Sequence, residues 1–452
     1  MAADAAPSPK NILRGHRAQV HVAAFVRGNE RLATADADGY VVLWDLAVMR
    51  PAAVWRAHDK SILGVEGWGR DRIITHGRDH RLIVWKLAAR DEQDLSSVLP
   101  LEHVPEPRRQ PWILHLLEVN TLNFCSFAAC ARYGGGPGLQ GPEAEPDLLL
   151  AVPNTLVSEA IDIYALPGQS RLYTVNSSAK NGLVMCLRLF HHAGSLTLLA
   201  GFENGCASVH RLDAVGAWIT TYRSQPHSQP VLSMDVHPSR DYFFTSSADS
   251  IIAQHPVPVA QQSFSLDASR SGPSVAEAES SPSSSAKSLL SDALGTGASH
   301  EKRQSAQKQE VWKHPLKTIN TKHSGQQSLR VRSDGKIFAT AGWDSKIRVY
   351  SCKTMKELAV LHWHTVGAYA VAFAAVDPDT DRREESSSAD QMALHSSVGL
   401  SSPDTGRALV CSGESSGAIG LSVKDRRILR TTTTHWLAAG AKDGKVSLWD
   451  IY

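Results

Sequence analysis

Short apolar runs alternate with polar turns along this chain at a near-constant spacing. In LATADADGYVVLWD an apolar run from Leu32 reaches a turn at Asp38-Gly39 and leaves as a second run closed by Trp44. The order returns in IITHGRDHRLIVW, closed by Trp85, in FATAGWDSKIRVY, closed by Tyr350, and in LAAGAKDGKVSLWDIY, where Trp449 is the closing aromatic. Runs of this length, rich in β-branched and aromatic residues and bounded by Asp-Gly-type turns, predict buried antiparallel strands.

Aligning the copies on the aromatic exposes a fixed geometry. An Asp stands six residues before it (Asp38, Asp79, Asp344, Asp443), and a Thr stands ten before it in three copies (Thr34, Thr75, Thr340). A His precedes that Asp by 22, 21 and 21 residues in the first three copies (His16, His58, His323). A weaker copy keeps the offsets with His227, Thr245 and Asp249, and carries His255 in the aromatic slot. This spacing resembles the WD repeat, whose sequence signature belongs to propeller blades. The resemblance implies a buried hydrogen-bonded chain in each blade. Its members would be His16, Thr34, Asp38 and Trp44; His58, Thr75, Asp79 and Trp85; His227, Thr245 and Asp249; His323, Thr340, Asp344 and Tyr350; and His364, Asp443 and Trp449.

Two further stretches alternate like blades, 183–212 with a turn at Asn204-Gly205 and 112–166 with Tyr164 in the aromatic slot. The expected fold is therefore all-β: one WD40-type propeller spanning 1–452, with about seven blades near 16–45, 58–86, 112–166, 183–212, 227–256, 323–350 and 364–449. No outer strand follows Trp449, so the N-terminal NILRGH is expected to complete the last blade and remove the sheet edges. The Ser-rich stretch 262–310 has few aromatics and reads as a disordered inter-blade insertion. Residues 377–434 read as an insertion within the last blade, in which ALVCSGESSGAIGLSV (408–423) could form a partial hairpin. Ser281-Pro282 and Ser402-Pro403 read as solvated loop.

Composition changes this picture little. A net charge of +2 gives no general pull toward nucleic acid, and no apolar run is long enough to cross a membrane. MAADAAPSPK lacks the features of a signal peptide. The six cysteines form no CxxC pair, which argues against a disulfide framework or a zinc site. No GxGxxG after a strand, GxxxxGK[ST], GxSxG or HExxH occurs, so no catalytic, cofactor or metal residues are expected. Of the 20 histidines, those at 16, 58, 227, 323 and 364 fall in blade slots, and His191-His192 and His362-Trp363-His364 read as strand-end packing. Trp112, Trp218, Trp312, Trp363 and Trp436 lie outside the repeat slots; any that are exposed are candidate binding anchors.

LRGHRAQVHVAAF, DADGYVVLWDL, ATAGWDSKIRVYS, VLHWHTVGAYAVAFA and HWLAAGAKDGKVSLWDIY together resemble the fungal ASTRA-associated protein 1 family, which is similar to the G-protein β-subunit-like protein of animals. The resemblance spans nearly the whole chain outside 135–147, 262–310 and 377–430. It implies a subunit of the ASTRA assembly, linked to chromatin regulation and to co-chaperone-assisted maturation of phosphatidylinositol-3-kinase-related kinases. The implied partners are a Tra-type kinase-like protein, the Tel/Tti co-chaperones and the RuvB-like ATPases, and the implied location is nuclear, with the cytoplasm a second one. About ten residues precede the first expected strand, too few for the coiled-coil helix by which true G-protein β subunits hold γ.

The leading expectation is a non-catalytic scaffold. The alternative is a substrate receptor of a cullin-type ubiquitin ligase. Such receptors dock through WDxR, whereas this chain has WDLA, WKLA and WDIY at Trp44, Trp85 and Trp449. A propeller enzyme would need convergent acids or a metal set at the channel, which the sequence does not display.

Overall fold

The structure is a computed structural model that describes residues 7–102, 107–120, 124–133, 147–176, 180–259, 311–376 and 422–451. Its strands form seven four-stranded antiparallel sheets. Blade 1 is built from Val20–Val26, Arg31–Asp36, Tyr40–Asp45 and Arg50–Arg56. Blade 2 follows with Ile62–Trp68, Arg72–Gly77, Arg81–Lys86 and Trp112–Glu118. Blade 3 contains Ala128–Ala131, Leu148–Pro153, Ile161–Leu166 and Ser170–Val175. Blade 4 contains Val184–His192, Ser195–Phe202, Ala207–Leu212 and Trp218–Ser224.

In blade 5, Val231–Val236, Tyr242–Ser247 and Ile251–Pro256 are joined by Lys317–Asn320, which returns after 260–310. Blade 6 comprises Gln326–Val331, Ile337–Gly342, Lys346–Ser351 and Glu357–His362. Blade 7 unites Ala368–Phe373, Trp436–Ala441 and Lys445–Asp450 with Asn11–Arg14 from the other end of the chain. That last pairing runs antiparallel from Asn11 opposite Leu448 to Arg14 opposite Lys445. It closes the ring and hides Leu13 in the core.

The core shows why a ring is needed. Its buried apolar residues fall into seven clusters, each made by two adjacent blades. Trp55 of blade 1 meets Trp85 of blade 2 edge-on, and Phe244 of blade 5 stacks on Phe338 of blade 6. The cluster holding Leu13, Val20, Trp44, Trp436 and Leu448 joins blade 7 to blade 1. A blade alone would leave both apolar faces wet; neighbours on each side bury them.

One boundary differs from the sequence-based expectation. The run from Trp112 to Glu118 is not part of blade 3. It is the outer strand of blade 2, with Ile113 opposite Trp85 and His115 opposite Val84. A short 3₁₀ helix, Ala89–Asp94, and a long linker separate it from Lys86, which disguised its ownership. Within 377–434, residues Val423–Thr433 form an α-helix capped by Ser422. Residues 408–421, Ser281-Pro282, Ser402-Pro403 and 262–310 lie outside the described residues.

Candidate functional site

Blades 1, 2 and 5 assemble the His–Thr chain most fully. In blade 2, His58 Nδ1 lies 2.9 Å from Asp79, His58 Nε2 lies 2.8 Å from the Thr75 hydroxyl, and Trp85 Nε1 donates to that hydroxyl at 2.8 Å. With the proton on Nδ1, every link has one donor and one acceptor. Burial works to raise the Asp79 carboxyl, but the hydrogen bonds from His58 and the Asp59 N–H hold it below its ordinary value. In blade 1 the carboxylate comes from a different residue. His16 Nδ1 lies 2.7 Å from Asp36, not Asp38; His16 Nε2 lies 2.7 Å from Thr34, and Trp44 donates to Thr34 at 2.8 Å. Asp36 also takes the N–H groups of Asp38 and Tyr40, and Asp38 is exposed.

The position eight before the aromatic decides which Asp serves. It is Gly77 in blade 2, Ser247 in blade 5 and Gly342 in blade 6, but Asp36 in blade 1. A Cβ at Gly77 would collide with the His58 ring and the Asp79 carboxylate. Where that slot is small, the turn Asp folds back into it; where it holds a carboxylate, the turn Asp is displaced to solvent.

Blade 5 extends the chain into its neighbour. His227 lies 3.2 Å from Asp249 and 2.8 Å from Thr245, and Thr245 lies 2.8 Å from His255 Nε2. His255 Nδ1 is then 2.7 Å from the Tyr222 hydroxyl of blade 4. Burial holds the His255 ring far below the ordinary imidazole value. An imidazole therefore replaces the tryptophan here and uses its second nitrogen to tie two blades together.

Blades 4 and 7 move the hydroxyl across the ladder. Ala439 stands opposite Ser447, where blade 1 has Thr34 opposite Val42. Ser447 lies 2.8 Å from His364 Nε2 and accepts from Trp449 at 2.9 Å. Asp443 is bound by Lys445 at 2.6 Å instead of by His364. Blade 4 repeats the exchange: Ala200 stands opposite Ser208, and the Ser208 hydroxyl is 2.7 Å from His210. Asn181 takes the His position there and accepts from Arg223 at 2.6 Å.

Blades 3 and 6 depart further. His323 is 41% exposed at its side chain and 3.7 Å from Asp344, beyond hydrogen-bond reach. Arg348, opposite Thr340 on the ladder, holds Asp344 at 2.6 Å. Tyr350 is buried against Phe338. In blade 3, Tyr164 packs half-buried beside the core shared with blade 2. The buried polar cluster there is Asn154, 2.8 Å from Asp162, with Thr174 donating to Asp162 at 2.7 Å. A signal was present in the sequence: one carboxylate in the apolar run AIDIYAL needs a partner.

Turn glycines couple one blade's network to the next. Gly39 has φ +88°, and a Cβ there would overlap the His58 carbonyl; its own carbonyl accepts from Ala57 N at 2.8 Å and His58 N at 3.2 Å. Gly444, with φ +75°, meets the His16 carbonyl in the same way, across the closure of the ring.

The inner strands surround a central cavity of about 670 Å³ in which Arg188 and Arg330 face Glu66 and Asp235. Arg188 Nε donates to Asp235 at 2.9 Å. Burial drives the Arg330 guanidinium down to about 10, with Arg188 adding to the effect. Among the described residues no group of three or more His, Cys, Asp and Glu is placed to hold a metal ion, and no helix is long and apolar enough to cross a membrane.

The WD domain, G-beta repeat family matches at 7–45, 218–253 and 313–351. Over 99% of its length the chain is 51% identical to ASTRA-associated protein 1 of Verticillium alfalfae, covering 93% of that protein. It is 46% identical to ASTRA-associated protein 1 of Pyricularia oryzae, with 98% and 97% of the two chains covered, and 31% identical to that of Schizosaccharomyces pombe, with 81% and 93% covered. The chain belongs to the ASTRA-associated protein 1 family.

This member of the ASTRA-associated protein 1 family carries several large aromatics on its surface. Trp112 on the outer strand of blade 2 is 75% exposed, and Trp312 and Trp343 are 53% and 47% exposed. Trp218 and Trp363 are half-buried, and Trp436 is buried, donating to the Thr431 carbonyl at 3.1 Å. Trp343 sits inside a repeat, one residue before Asp344, where spacing along the chain does not set it apart.

Proposed function

We propose that this chain is a non-catalytic scaffold subunit of the ASTRA complex. The observation that carries the reading is near-full-length similarity, at up to 51% identity, to proteins named ASTRA-associated protein 1. The geometry supports it in physical terms. The networks and inter-blade cores spend the buried polar groups on rigidity, while exposed Trp112 and Trp312 offer side chains suited to partner contacts. The reading extends to chromatin regulation and to maturation of phosphatidylinositol-3-kinase-related kinases. The partners it names are a Tra-type kinase-like protein, the Tel/Tti co-chaperones and the RuvB-like ATPases, and its location is nuclear.

The test is a pull-down of the tagged chain from its native cells, read by mass spectrometry. Recovery of those three partner classes together is expected. Recovery of a cullin adaptor without them would move the chain to the ligase-receptor class, and the absence of Arg after the WD pairs would then need another docking element.

A further inference from the structure

We propose that the outward face of the helix Val423–Thr433 is a docking site for a short acidic, apolar segment of a partner protein. The helix is held to blade 1 by its last turns. The buried Thr431 hydroxyl, which donates to the Arg427 carbonyl at 2.8 Å, lies 3.4 Å from the Leu46 carbonyl, and Asn29 Nδ2 donates to the Thr432 carbonyl at 3.2 Å. Ser422 caps the other end by accepting from the Asp425 N–H at 3.2 Å and donating to the Asp425 carboxylate at 2.7 Å. The fold therefore anchors the helix at its last turns while burying little of it: Thr431 is its one buried residue.

The exposed side carries concentrated positive charge. Lys424, Arg426, Arg427 and Arg430 stand against a single acid, Asp425. Among the described residues no carboxylate lies within ion-pair distance of any of these four cations. The acids next in sequence to the helix contacts are engaged elsewhere, Glu30 with Arg70 at 2.7 Å and Asp45 with Arg31 at 3.3 Å. Arg426 and Arg430 are one turn apart and share a face, with Arg427 beside them. Three guanidinium groups in that arrangement present forked donors suited to carboxylates.

The apolar residues choose between anionic partners. Leu429 and Val423, both exposed, flank Arg426 on the same outward side. They would gain nothing against a phosphate backbone but would gain burial against Leu or Phe side chains set between acids. The chain's net charge of +2 likewise supplies no long-range pull toward nucleic acid. Charge complementarity and interleaved apolar contacts together select an acidic peptide. This site deepens the scaffold reading by naming a partner chemistry. Its test uses purified components, so its failure is distinct from failure of the pull-down above.

The experiment titrates the full-length chain into a fluorescent synthetic peptide that alternates Glu with Leu, and into a single-stranded DNA of matched charge. Peptide binding that weakens with salt is expected. The triple variant Arg426→Glu, Arg427→Glu, Arg430→Glu should bind more than about tenfold more weakly, with its thermal unfolding unchanged because the side chains are exposed. Leu429→Ser should weaken binding about threefold without changing the salt dependence. Equal binding by the triple variant, or tighter binding of the DNA than of the peptide, would overturn the proposal. So would peptide binding seen only after deletion of 377–407, a stretch that holds six acidic residues and two arginines between 377 and 390; the chain itself would then be the occupant.

Discussion

His16 Nδ1 lies 2.7 Å from Asp36, while Asp38, the residue at the turn, points to solvent. Asp36→Ala would leave the buried imidazole and the N–H groups of Asp38 and Tyr40 without their acceptor. The expected cost is about 2–4 kcal/mol, from several unmade bonds at one site. Asp38→Ala should stay within about 0.5 kcal/mol, as surface substitutions do. Denaturant midpoints of the two variants, measured side by side, check the assignment; similar losses would refute it.

Ser447 carries in blade 7 what Thr34 carries in blade 1, from the opposite strand of the pair. Ser447→Ala should therefore destabilise by about 1–3 kcal/mol, because His364 Nε2 and Trp449 Nε1 both lose their partner. Adding Ala439→Thr to that variant puts a hydroxyl where Thr34 stands in blade 1, and part of the loss should return. A double variant no more stable than the single one would mean that the two ladder positions are not equivalent.

These exchanges mark how far the sequence could be read. Most of the strands and the ring were legible because apolar alternation and turn spacing depend on residues close in the chain. Keeping the four offsets was not enough to make a blade network legible: His58, Thr75, Asp79 and Trp85 meet in blade 2, but His16 binds Asp36 in place of Asp38 in blade 1, and His323 stays 3.7 Å from Asp344 in blade 6. The networks were not legible where two positions trade roles across a ladder, as at Ala439 and Ser447, since spacing along one strand is silent about its partner. Nor could offsets show that Asp36 would fill the slot that Gly77 leaves open. The ownership of Trp112–Glu118 was hidden for a simpler reason: the linker before it is longer than a blade turn.

Buried histidines make the propeller sensitive to acid. Burial pushes His364 and His210 down to about 4 and His76 down to about 3, against an ordinary 6.5. The unfolded chain then binds more protons than the folded one between pH 6.5 and these values. Stability contributed by the neutral rings is complete above about pH 6.5 and falls as pH drops through that window. Asp79 and Asp249, held below 3.8, add a second loss at lower pH. Among the described residues neither ring nitrogen of His76 has a hydrogen-bond partner. His76→Met should therefore be neutral or stabilising at pH 7 and should flatten the decline below pH 6.5. Urea midpoints across that range, unchanged in slope by the substitution, would show that His76 does not contribute.

Blade 5 sets the limit on what can be removed between blades 5 and 6. Its outer strand, Lys317–Asn320, pairs with Ile251–Gln254 and lies beyond the Ser-rich stretch. Just before it, Trp312 exchanges backbone hydrogen bonds with blade 4: its N–H donates to Thr221, and Arg223 N donates to its carbonyl, both near 3 Å. Deleting 270–305 keeps all of these groups and lengthens nothing, so closing a shorter loop should, if anything, help slightly. The melting temperature should stay within a few degrees of the parent. Extending the deletion through 320 removes the outer strand, exposes the edge of Ile251–Pro256 and strips the backbone partners of Thr221 and Arg223. That variant should lose several kcal/mol, or aggregate through the bared edge. Differential scanning calorimetry of the two deletions separates the cases. Collapse of the shorter one would place 270–305 inside the folded structure rather than between its blades.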